Sequence, residues 1–383
     1  MAIKLWTAHF MRICIANLLL FVSMYVLFPV LSIEMAERLG VPMAQTGVIF
    51  LFLTLGMLLI GPFHAYLVDA YKRKYVCMFS FAVMVAATVG YAFVTNMTEL
   101  IMLSMVQGVA FGMATTAGIT LAIDITSSTF RSAGNVSFSW MARLGTIIGI
   151  ALGVWLNQNY SFINLLTVSV IIGIVGILVI AGVYVPFRAP IVTKLYSFDR
   201  FLLLRGWVPG INLILITFVP GLLISLAHPF LNDSILRNVG ISLPFFAGTG
   251  AGFIISLLFA RLFFLKEKTL RLVIIGLGLE ALTFSLLGIK ETIGISSVLM
   301  GLGLGFVMPE FLVIFVKLSH HCQRGTANTT HLLASEIGIA LGIAVSCNMS
   351  TDEMLFIGQI VAAIALLFFI LITYPYYKKM KVR

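Results

Sequence analysis

The chain has very little charge for its length. Of its 383 residues, 61% are hydrophobic and only 10% are Asp, Glu, Lys or Arg. Soluble domains carry about 25% charged residues, because their surfaces face water. The shortage of charge excludes a water-soluble globular protein and indicates a polytopic membrane protein.

The signatures of catalytic and metal sites are also missing. The four cysteines have no paired spacing, so we expect neither a disulfide framework nor a metal site. No His-Glu-x-x-His motif occurs, and the glycine-rich stretches GTGAGF (248–253) and GLGLGF (301–306) lack the Lys-Ser/Thr of a phosphate loop. We therefore expect a protein that is not an enzyme and that holds no metal and no organic cofactor.

Long apolar stretches fill most of the chain instead. Twelve of them reach the length of about 20 residues that an α-helix needs to cross a bilayer. They lie at roughly 11–33, 45–68, 75–94, 99–123, 135–156, 162–185, 207–227, 244–265, 271–288, 294–316, 330–347 and 355–375. We predict an all-α polytopic membrane protein with twelve transmembrane helices and mostly short connections.

The basic residues are distributed unevenly between the connections. Of the 24 Lys and Arg residues, 20 fall at the termini and in every second connection, three fall in the other connections, and Arg143 lies inside a span. Basic residues concentrate in cytoplasmic loops, so we expect both termini in the cytoplasm and the protein in the inner (plasma) membrane. The net charge of +10 then reflects topology and contact with the lipid bilayer, and we expect no nucleic-acid partner.

The two halves of the chain resemble each other. At an offset of 193 residues, RSAGNVSFSWMARLGTIIG (131–149) aligns with RGTANTTHLLASEIGIALG (324–342), and Arg143 stands opposite Glu336. Many transporters consist of two such repeats, with the substrate site between them near the membrane midplane. We predict two pseudo-symmetric six-helix bundles. The predicted parts are an N-terminal half (1–185), a cytoplasmic linker (186–206) and a C-terminal half (207–383).

Three motifs are similar to those of one family. AYLVDAYKRK (65–74) resembles the loop motif between spans two and three of the major facilitator superfamily, and SMVQG (104–108) resembles its span-four motif, with Ser104 in place of an arginine linked with proton coupling. LGTIIGIALGV (144–154) resembles a span-five element associated with exporters. The resemblance covers essentially the whole chain. It implies a transporter whose two bundles rock about a central site, similar to bacterial drug and sugar efflux permeases.

The resemblance also assigns a gate and a set of packing residues. In the family the loop motif locks the cytoplasmic ends of the helices. The residues assigned to this cytoplasmic gate are Asp69, Arg73, Lys74, Arg131, Arg261 and Arg324. Glycines spaced by four let another helix approach closely. The glycines expected to pack helices are Gly108, Gly145, Gly149, Gly153, Gly338 and Gly342.

Four charged residues lie well inside predicted spans, away from their ends: Arg143, Glu280, Glu310 and Glu336. Each costs at least about 2.5–3.5 kcal/mol at a helix centre, so such residues usually face the bundle interior and a partner. We expect Arg143 to anchor an anionic substrate group or to pair with a protonatable glutamate. Glu310 is the first candidate for that glutamate, because the resemblance places span ten beside the central cavity. Glu336 is the second, and static ion pairs between helices are the alternative.

Further polar residues complete the expected site for substrate binding or coupling. Trp140 lies one turn before Arg143 on the same face. Asn17, Tyr25, Gln107 and Asn212 lie on spans that line the central cavity in the resembled family. A hydrogen bond between helices is the alternative role for each of them.

These observations lead to one expected function with alternatives. We expect a secondary active transporter that moves a small organic solute by alternating access, coupled to protons and working in export. Its expected partners are that solute and the lipid bilayer, and we expect a monomer. An uncoupled facilitator, an amphiphile or lipid transporter of the same fold, and a sensor that transports nothing remain as alternatives.

Overall fold

The computed structural model describes residues 5–127, 130–185, 194–225, 243–263, 269–320 and 323–380. The regular structure of these residues is helical throughout. The helices are α1 (Ala8–Tyr25), α2 (Leu31–Leu39), α3 (Met43–Gly47), α4 (Ile49–Ala70), α5 (Arg73–Gly90), α6 (Met97–Ile125), α7 (Arg131–Asn159), α8 (Phe162–Ala181), α9 (Trp207–Ser225), α10 (Leu243–Phe263), α11 (Thr269–Leu287), α12 (Ile293–Leu318), α13 (Arg324–Ser346), α14 (Thr351–Phe368) and α15 (Tyr374–Met380).

The helices match the predicted spans in number. Among the described residues, 11 helical segments are long and apolar enough to cross a membrane. The shorter apolar segment Pro244–Phe259, which is part of α10, is the twelfth. The last crossing continues from α14 through a π-helical turn, Phe369–Thr373, into α15. The predicted all-α, twelve-helix fold class is therefore confirmed.

The first span differs from its prediction. The stretch 11–33 is predicted as one helix, but α1 ends at Tyr25 and α2 begins only at Leu31. Pro29 lies between them. Proline has no amide hydrogen, and its ring clashes with the carbonyl four residues earlier, which here belongs to Tyr25. The helix therefore stops, and hydrogen-bonded turns connect α1 to α2.

The helices form two groups. Within the first group, α1 packs on α7 and α8, and α4 packs on α6; within the second, α9 packs on α13 and α10 packs on α12. Contacts between the groups run mainly from α7 to α10 and from α4 to α13. We call the first group, α1 to α8, the N-terminal half and the second, α9 to α15, the C-terminal half.

Repeat-related glycines bring helices into backbone contact in both halves. A Cβ on Gly108 of α6 would lie 1.9 Å from the carbonyl oxygen of Leu53 on α4. A Cβ on Gly301 of α12 would lie 1.9 Å from the carbonyl oxygen of Thr249 on α10. A side chain has no room at either position, as at other close helix crossings in membranes.

A second set of glycines holds α7 and α13 against the first helix of each half. A Cβ on Gly145, Gly149 or Gly153 of α7 would lie within 2.9 Å of an atom of α1 or of the turn that follows it. A Cβ on Gly338 or Gly342 of α13 would lie within 2.3 Å of an atom of α9. One face of α7 therefore packs within the N-terminal group of helices, and one face of α13 packs within the C-terminal group.

The two ends of the bundle differ in charge. We call the end at which α1, α7 and α13 begin the basic end, because described basic residues such as Arg73, Arg200 and Arg324 lie there. The first residue of α13, Arg324, the loop residue Lys72 and the first residue of α5, Arg73, lie there.

Candidate functional site

A buried charge cluster joins the two halves. Arg143 on α7 is 8% exposed and Glu336 on α13 is 2% exposed. Nη1 of Arg143 lies 4.0 Å from Oε1 of Glu336, and Nη2 donates a hydrogen bond to Oγ of Ser335 (2.6 Å). The hydroxyl of Tyr25 on α1 donates to Oε2 of Glu336. The structure thus brings together three residues that the sequence singled out.

The cluster lies deep in the membrane. Arg143 and Glu336 each follow the first residue of their helix by about 18 Å, at 1.5 Å per residue, and the hydrocarbon core is about 30 Å thick. Oε1 of Glu336 and Nε of Arg143 have no hydrogen-bond partner among the described residues. The guanidinium therefore donates to Ser335 and faces Glu336 only at ion-pair distance, so the ion pair is incompletely satisfied.

On one side of Arg143 is an apolar cavity of about 70 Å³. Helices α7, α9, α10, α12 and α13 form its wall, which includes Ile147, Leu223, Phe246 and Met300. Arg143 is the only Asp, Glu, Lys or Arg among the described residues that line it. This cavity can hold a hydrophobic group next to a cation.

On the other side of Arg143 is a polar cavity of about 30 Å³. Its lining includes Asn17, Asn135, Asn328 and His331. Oδ1 of Asn17, Oδ1 of Asn328 and Nε2 of His331 are buried and have no hydrogen-bond partner among the described residues. Because buried polar atoms are nearly always hydrogen-bonded, these atoms are places for water or for polar groups of a ligand.

Glu336 is set back from both cavities. It is absent from their linings as far as the described residues form them. Its carboxylate is held between Arg143 and the hydroxyl of Tyr25. A ligand in either cavity therefore meets Arg143 rather than Glu336.

His331 is a member of the site that the sequence prediction did not include. It is 2% exposed and lies on α13, five residues before Glu336. The available signal was a histidine inside an apolar span, on the helix that repeats the one bearing Arg143. The ring of Phe315 contacts it edge-on, with the ring centres 5.7 Å apart.

A larger cavity of about 450 Å³ lies at the basic end. Both halves line it, with Asp69 and Arg73 from the N-terminal half and Arg324 from the C-terminal half. Asn135 lines this cavity and the polar cavity as well. At the opposite end the halves touch, since a Cβ on Gly47 would lie 2.7 Å from Sγ of Cys347. The cavity system therefore widens towards the basic end.

Ion pairs involve two of the expected gate residues, Asp69 and Arg73. Nη2 of Arg73 lies 2.8 Å from Asp69, and Nη1 donates to both carboxylate oxygens of Asp124 (2.7 and 2.6 Å). Nη2 of Arg200 lies 2.7 Å from the other oxygen of Asp69. Asp124 and Arg200 are additions to the predicted gate. Lys74 instead donates to backbone carbonyls at the end of α8 and just beyond it.

The linker contacts both halves at the basic end. Only residues 194–206 of it are described, so the rest of the predicted linker lies outside the described residues, as do the side chains of Arg131 and Arg261. The ring of Phe201 is buried against Gly61 on α4. The carbonyl of Arg200 accepts a hydrogen bond from Thr326 on α13 (3.0 Å).

Two predicted site residues make hydrogen bonds within one half. Oε1 of Gln107 accepts from the hydroxyl of Tyr91 (2.7 Å), and its Nε2 donates to Thr88 (3.1 Å). Nδ2 of Asn212 donates to the carbonyl of Ala365 (2.9 Å). These bonds join α5 to α6 and α9 to α14, away from the charge cluster. Asn17 also bonds within its own half, donating to the carbonyl of Phe138 (3.0 Å), but unlike the other two it lines the polar cavity.

The remaining membrane-embedded candidates do not join the cluster. Glu310 is half-buried on α12 and faces Thr269 on α11 and Lys317 on its own helix. Glu280 on α11 is fully buried, and neither of its carboxylate oxygens has a partner among the described residues. Trp140 is half-buried one turn before Arg143, and its indole nitrogen likewise has no partner among them.

Comparisons with known proteins identify the fold and the family. The family model of the Major Facilitator Superfamily matches residues 13–343. No curated protein matches the sequence. Three solved transporters superpose over nearly the whole chain, each with a TM-score of 0.66.

The three structures are distant in sequence. A mutant of the nucleoside transporter NupG is 16% identical and covers 97% of this chain and 100% of its own. A bacterial homologue of the human lysosomal transporter Spinster, inward-facing and unoccupied, is 14% identical and covers 98% of both chains. The human organic anion transporter MFSD10 is 16% identical and covers 96% of this chain and 98% of its own. At such identities the superpositions establish the fold alone.

Proposed function

Because the chain belongs to the Major Facilitator Superfamily, we propose that it is a secondary active transporter that carries a small organic solute across the membrane together with a proton. Membership of this transporter family also bears out the expectation that the chain is not an enzyme. The observation that carries the proposal is the buried cluster of Arg143, Glu336 and Tyr25 between the halves, with a cavity on either side of Arg143.

Coupling to protons follows from competition for Arg143. A ligand acid bound at Arg143 takes donors away from Glu336, which is then a buried carboxylate without its cation. Such a charge is costly inside a membrane, and proton uptake removes the cost. When the solute leaves, Arg143 returns to Glu336 and the proton is released. Glu336 is thus protonated when the solute is bound and paired with Arg143 when the solute is absent.

In alternating access, each rocking movement of the halves opens this same site to the other side of the membrane. The halves meet along α7 with α10 and along α4 with α13, and these contacts are the surfaces about which the halves rock in the proposal. The cavity at the basic end leads by way of Asn135 to the polar cavity beside Arg143. The opposite route requires separation of the halves at Gly47 and Cys347.

The proposed orientation places the basic end and both termini in the cytoplasm, with the protein spanning the inner membrane. The sequence supports it, because 20 of the 24 basic residues fall at the termini and in every second predicted connection. The expected direction of export is supported by the exporter-like element 144–154, whose glycines hold α7 against α1. We propose that the protein works as a monomer.

One observation favours a second candidate, an uncoupled facilitator or amphiphile transporter. Helix α6 has Ser104 where the resembled proteins have an arginine linked with coupling, and it contains no basic residue. The hydroxyl of Ser104 donates to the carbonyl of Leu100 in its own helix (2.8 Å).

Proteoliposomes with an imposed pH gradient separate the two candidates. For the proposed joint transport of solute and proton, an outside-acid gradient drives accumulation of a transported member of a labelled panel of organic anions, cations and neutral solutes. We expect accumulation with the wild type and none with Glu336→Gln, while counterflow, which needs no net proton movement, persists in that variant. Accumulation that is indifferent to a proton ionophore contradicts coupling and supports the facilitator.

Glu310→Gln is the matched control, because it neutralises another membrane-embedded glutamate that lies away from the cluster. We expect it to keep wild-type accumulation and pH dependence. If Glu310→Gln abolishes accumulation and Glu336→Gln does not, the coupling role belongs to Glu310 and not to Glu336.

A further inference from the structure

We infer that the solute is an amphipathic organic anion, whose acidic group binds Arg143 and whose apolar body occupies the apolar cavity. This inference rests on the proposed function, because it names the substrate class of the same site.

The sign of the ligand charge follows from which residue faces the cavities. Arg143 is the only Asp, Glu, Lys or Arg among the described residues that line the apolar and the polar cavity. Its buried Nε has no hydrogen-bond partner among the described residues. A carboxylate, sulfonate or phosphate completes the donors of a guanidinium in a forked geometry. A cationic group in the same place meets the guanidinium, while Glu336 lies behind it.

The expectation of an apolar ligand body follows from the hydrogen bonds that the hydroxyl groups of the cavity wall already make. Three threonines line the apolar cavity, Thr146, Thr217 and Thr249. Each donates its hydroxyl hydrogen to a carbonyl four residues earlier in its own helix, at 3.1, 2.9 and 3.0 Å. The threonine hydroxyls therefore present no hydrogen to a ligand, and the other uncharged lining residues are hydrophobic. A hydrocarbon or aromatic group is the chemistry that fits.

The polar cavity limits how the ligand is oriented. Its free acceptors, Oδ1 of Asn17 and Oδ1 of Asn328, lie on the side of Arg143 away from the apolar cavity. A hydrophobic group placed there would leave them without partners, which costs about 1–3 kcal/mol for each buried group. The ligand therefore lies with its acid at Arg143, with any hydroxyl or amide N–H towards the polar cavity, and with its apolar body away from that cavity.

Matched probes test the inference by binding. The probes are 4-butylbenzenesulfonate, 4-butylbenzyl alcohol and 4-butylbenzylamine, which differ mainly in the charge of the head group. Calorimetric titration of the full chain in lipid nanodiscs measures their affinity, and empty nanodiscs provide the correction for partition into lipid. We expect the sulfonate to bind at least about tenfold more tightly than the alcohol, as hydrogen bonds to a charged group imply, and the amine to bind most weakly.

A double variant keeps the test valid if single changes unfold the protein. Arg143→Gln/Glu336→Gln removes both buried charges together, so it leaves no unpaired ion. We expect this variant to bind the sulfonate and the alcohol equally. Head-group selectivity that survives in the double variant overturns the inference.

The length of the alkyl chain tests the apolar cavity separately. Each buried methylene contributes about 0.8 kcal/mol, so affinity should rise about fourfold for each carbon of the alkyl benzenesulfonates that the apolar cavity still buries. Ile147 lines the apolar cavity one turn from Arg143. We expect Ile147→Phe to weaken the butyl member and to leave the methyl member unchanged.

The outcomes distinguish the ligand class from the transport proposal. Preference for the amine, equal affinity for the three butyl probes, or no binding of any probe overturns the inference. Selective binding of the sulfonate without flux in proteoliposomes supports the ligand class and contradicts the proposed function. Flux of the amine alone contradicts the ligand class and leaves the proposed function standing.

Discussion

Helices α7 and α13 occupy related places in the two halves, and one face of each follows the same plan. Their glycines fit against α1 in one half and against α9 in the other. On the face turned to the other half, the same register carries Arg143 in α7 and Glu336 in α13. The repeat therefore preserves the residues that pack each half, and it diverges where the two halves meet.

This difference separates stability from chemistry within one helix. The glycine face of α7 fixes how close α7 lies to α1. Arg143, on the face turned to the other half, decides what the central site can bind. Substitutions confined to one face at a time should therefore separate the two roles, and a change on the charged face should have the largest effect.

Reversing the charge of Arg143 should have the largest effect on stability. Arg143→Glu places a carboxylate beside Glu336 with no cation between them, and breaking a buried ion pair typically costs about 3–5 kcal/mol. Thermal unfolding in nanodiscs measures the loss. The exchanged variant, Arg143→Glu/Glu336→Arg, restores opposite charges and should recover most of the stability. An exchanged variant as unstable as the single one would show that the two positions are not equivalent.

Filling the glycine faces should have an intermediate effect. A Cβ at Gly342 would lie 2.3 Å from the carbonyl oxygen of Phe218, and one at Gly149 would lie 2.9 Å from Cβ of Tyr25. Overpacking costs about 1–3 kcal/mol, so Gly342→Ala and Gly149→Ala should both lower the unfolding temperature, the first more than the second. Gly210→Ala is the control, because nothing lies within 4 Å of its Cβ position. Equal effects in all three variants would contradict the packing role.

Removing the linker ion pair at the basic end should have the smallest effect. The side chain of Arg200 is 47% exposed where it meets Asp69, and exposed pairs contribute about 0–1 kcal/mol. Arg200→Ala should therefore change the unfolding temperature little. Arg73→Ala, which leaves Asp69 and Asp124 without this more buried cation, should destabilise the protein further. A larger loss for Arg200→Ala than for Arg73→Ala would reverse the order of importance in this network.

Much of the architecture is predictable because membrane spans have a strong signature. Length and apolarity locate twelve helices, and an offset of 193 residues relates Arg143 to Glu336 within the sequence itself. Matched depth in the two halves follows from that offset. The break after Tyr25 is also encoded, by Pro29, although an apolar stretch alone predicts one continuous span.

The rotation of each helix about its axis is much harder to predict. A helix that is apolar all round has no face that points to the core by composition. Glu310 is predicted at the central cavity because of the span on which it lies, but its side chain faces Thr269 on α11. The side chain of Gln107 likewise points from α6 towards α5 and not to the central cavity, because its span does not fix how α6 is rotated. His331 and Arg200 reach their places through tertiary contacts that the spacing of one sequence does not specify.

The opposite charges of Arg143 and Glu336 also bear on how such a chain can arise by duplication. Two identical halves placed face to face would bring two arginines or two glutamates to the centre, and neither pair is stable in a membrane without a further ion. Opposite charges at these positions require two different halves. The ion pair at the centre is therefore available only to a chain that encodes two halves with different sequences.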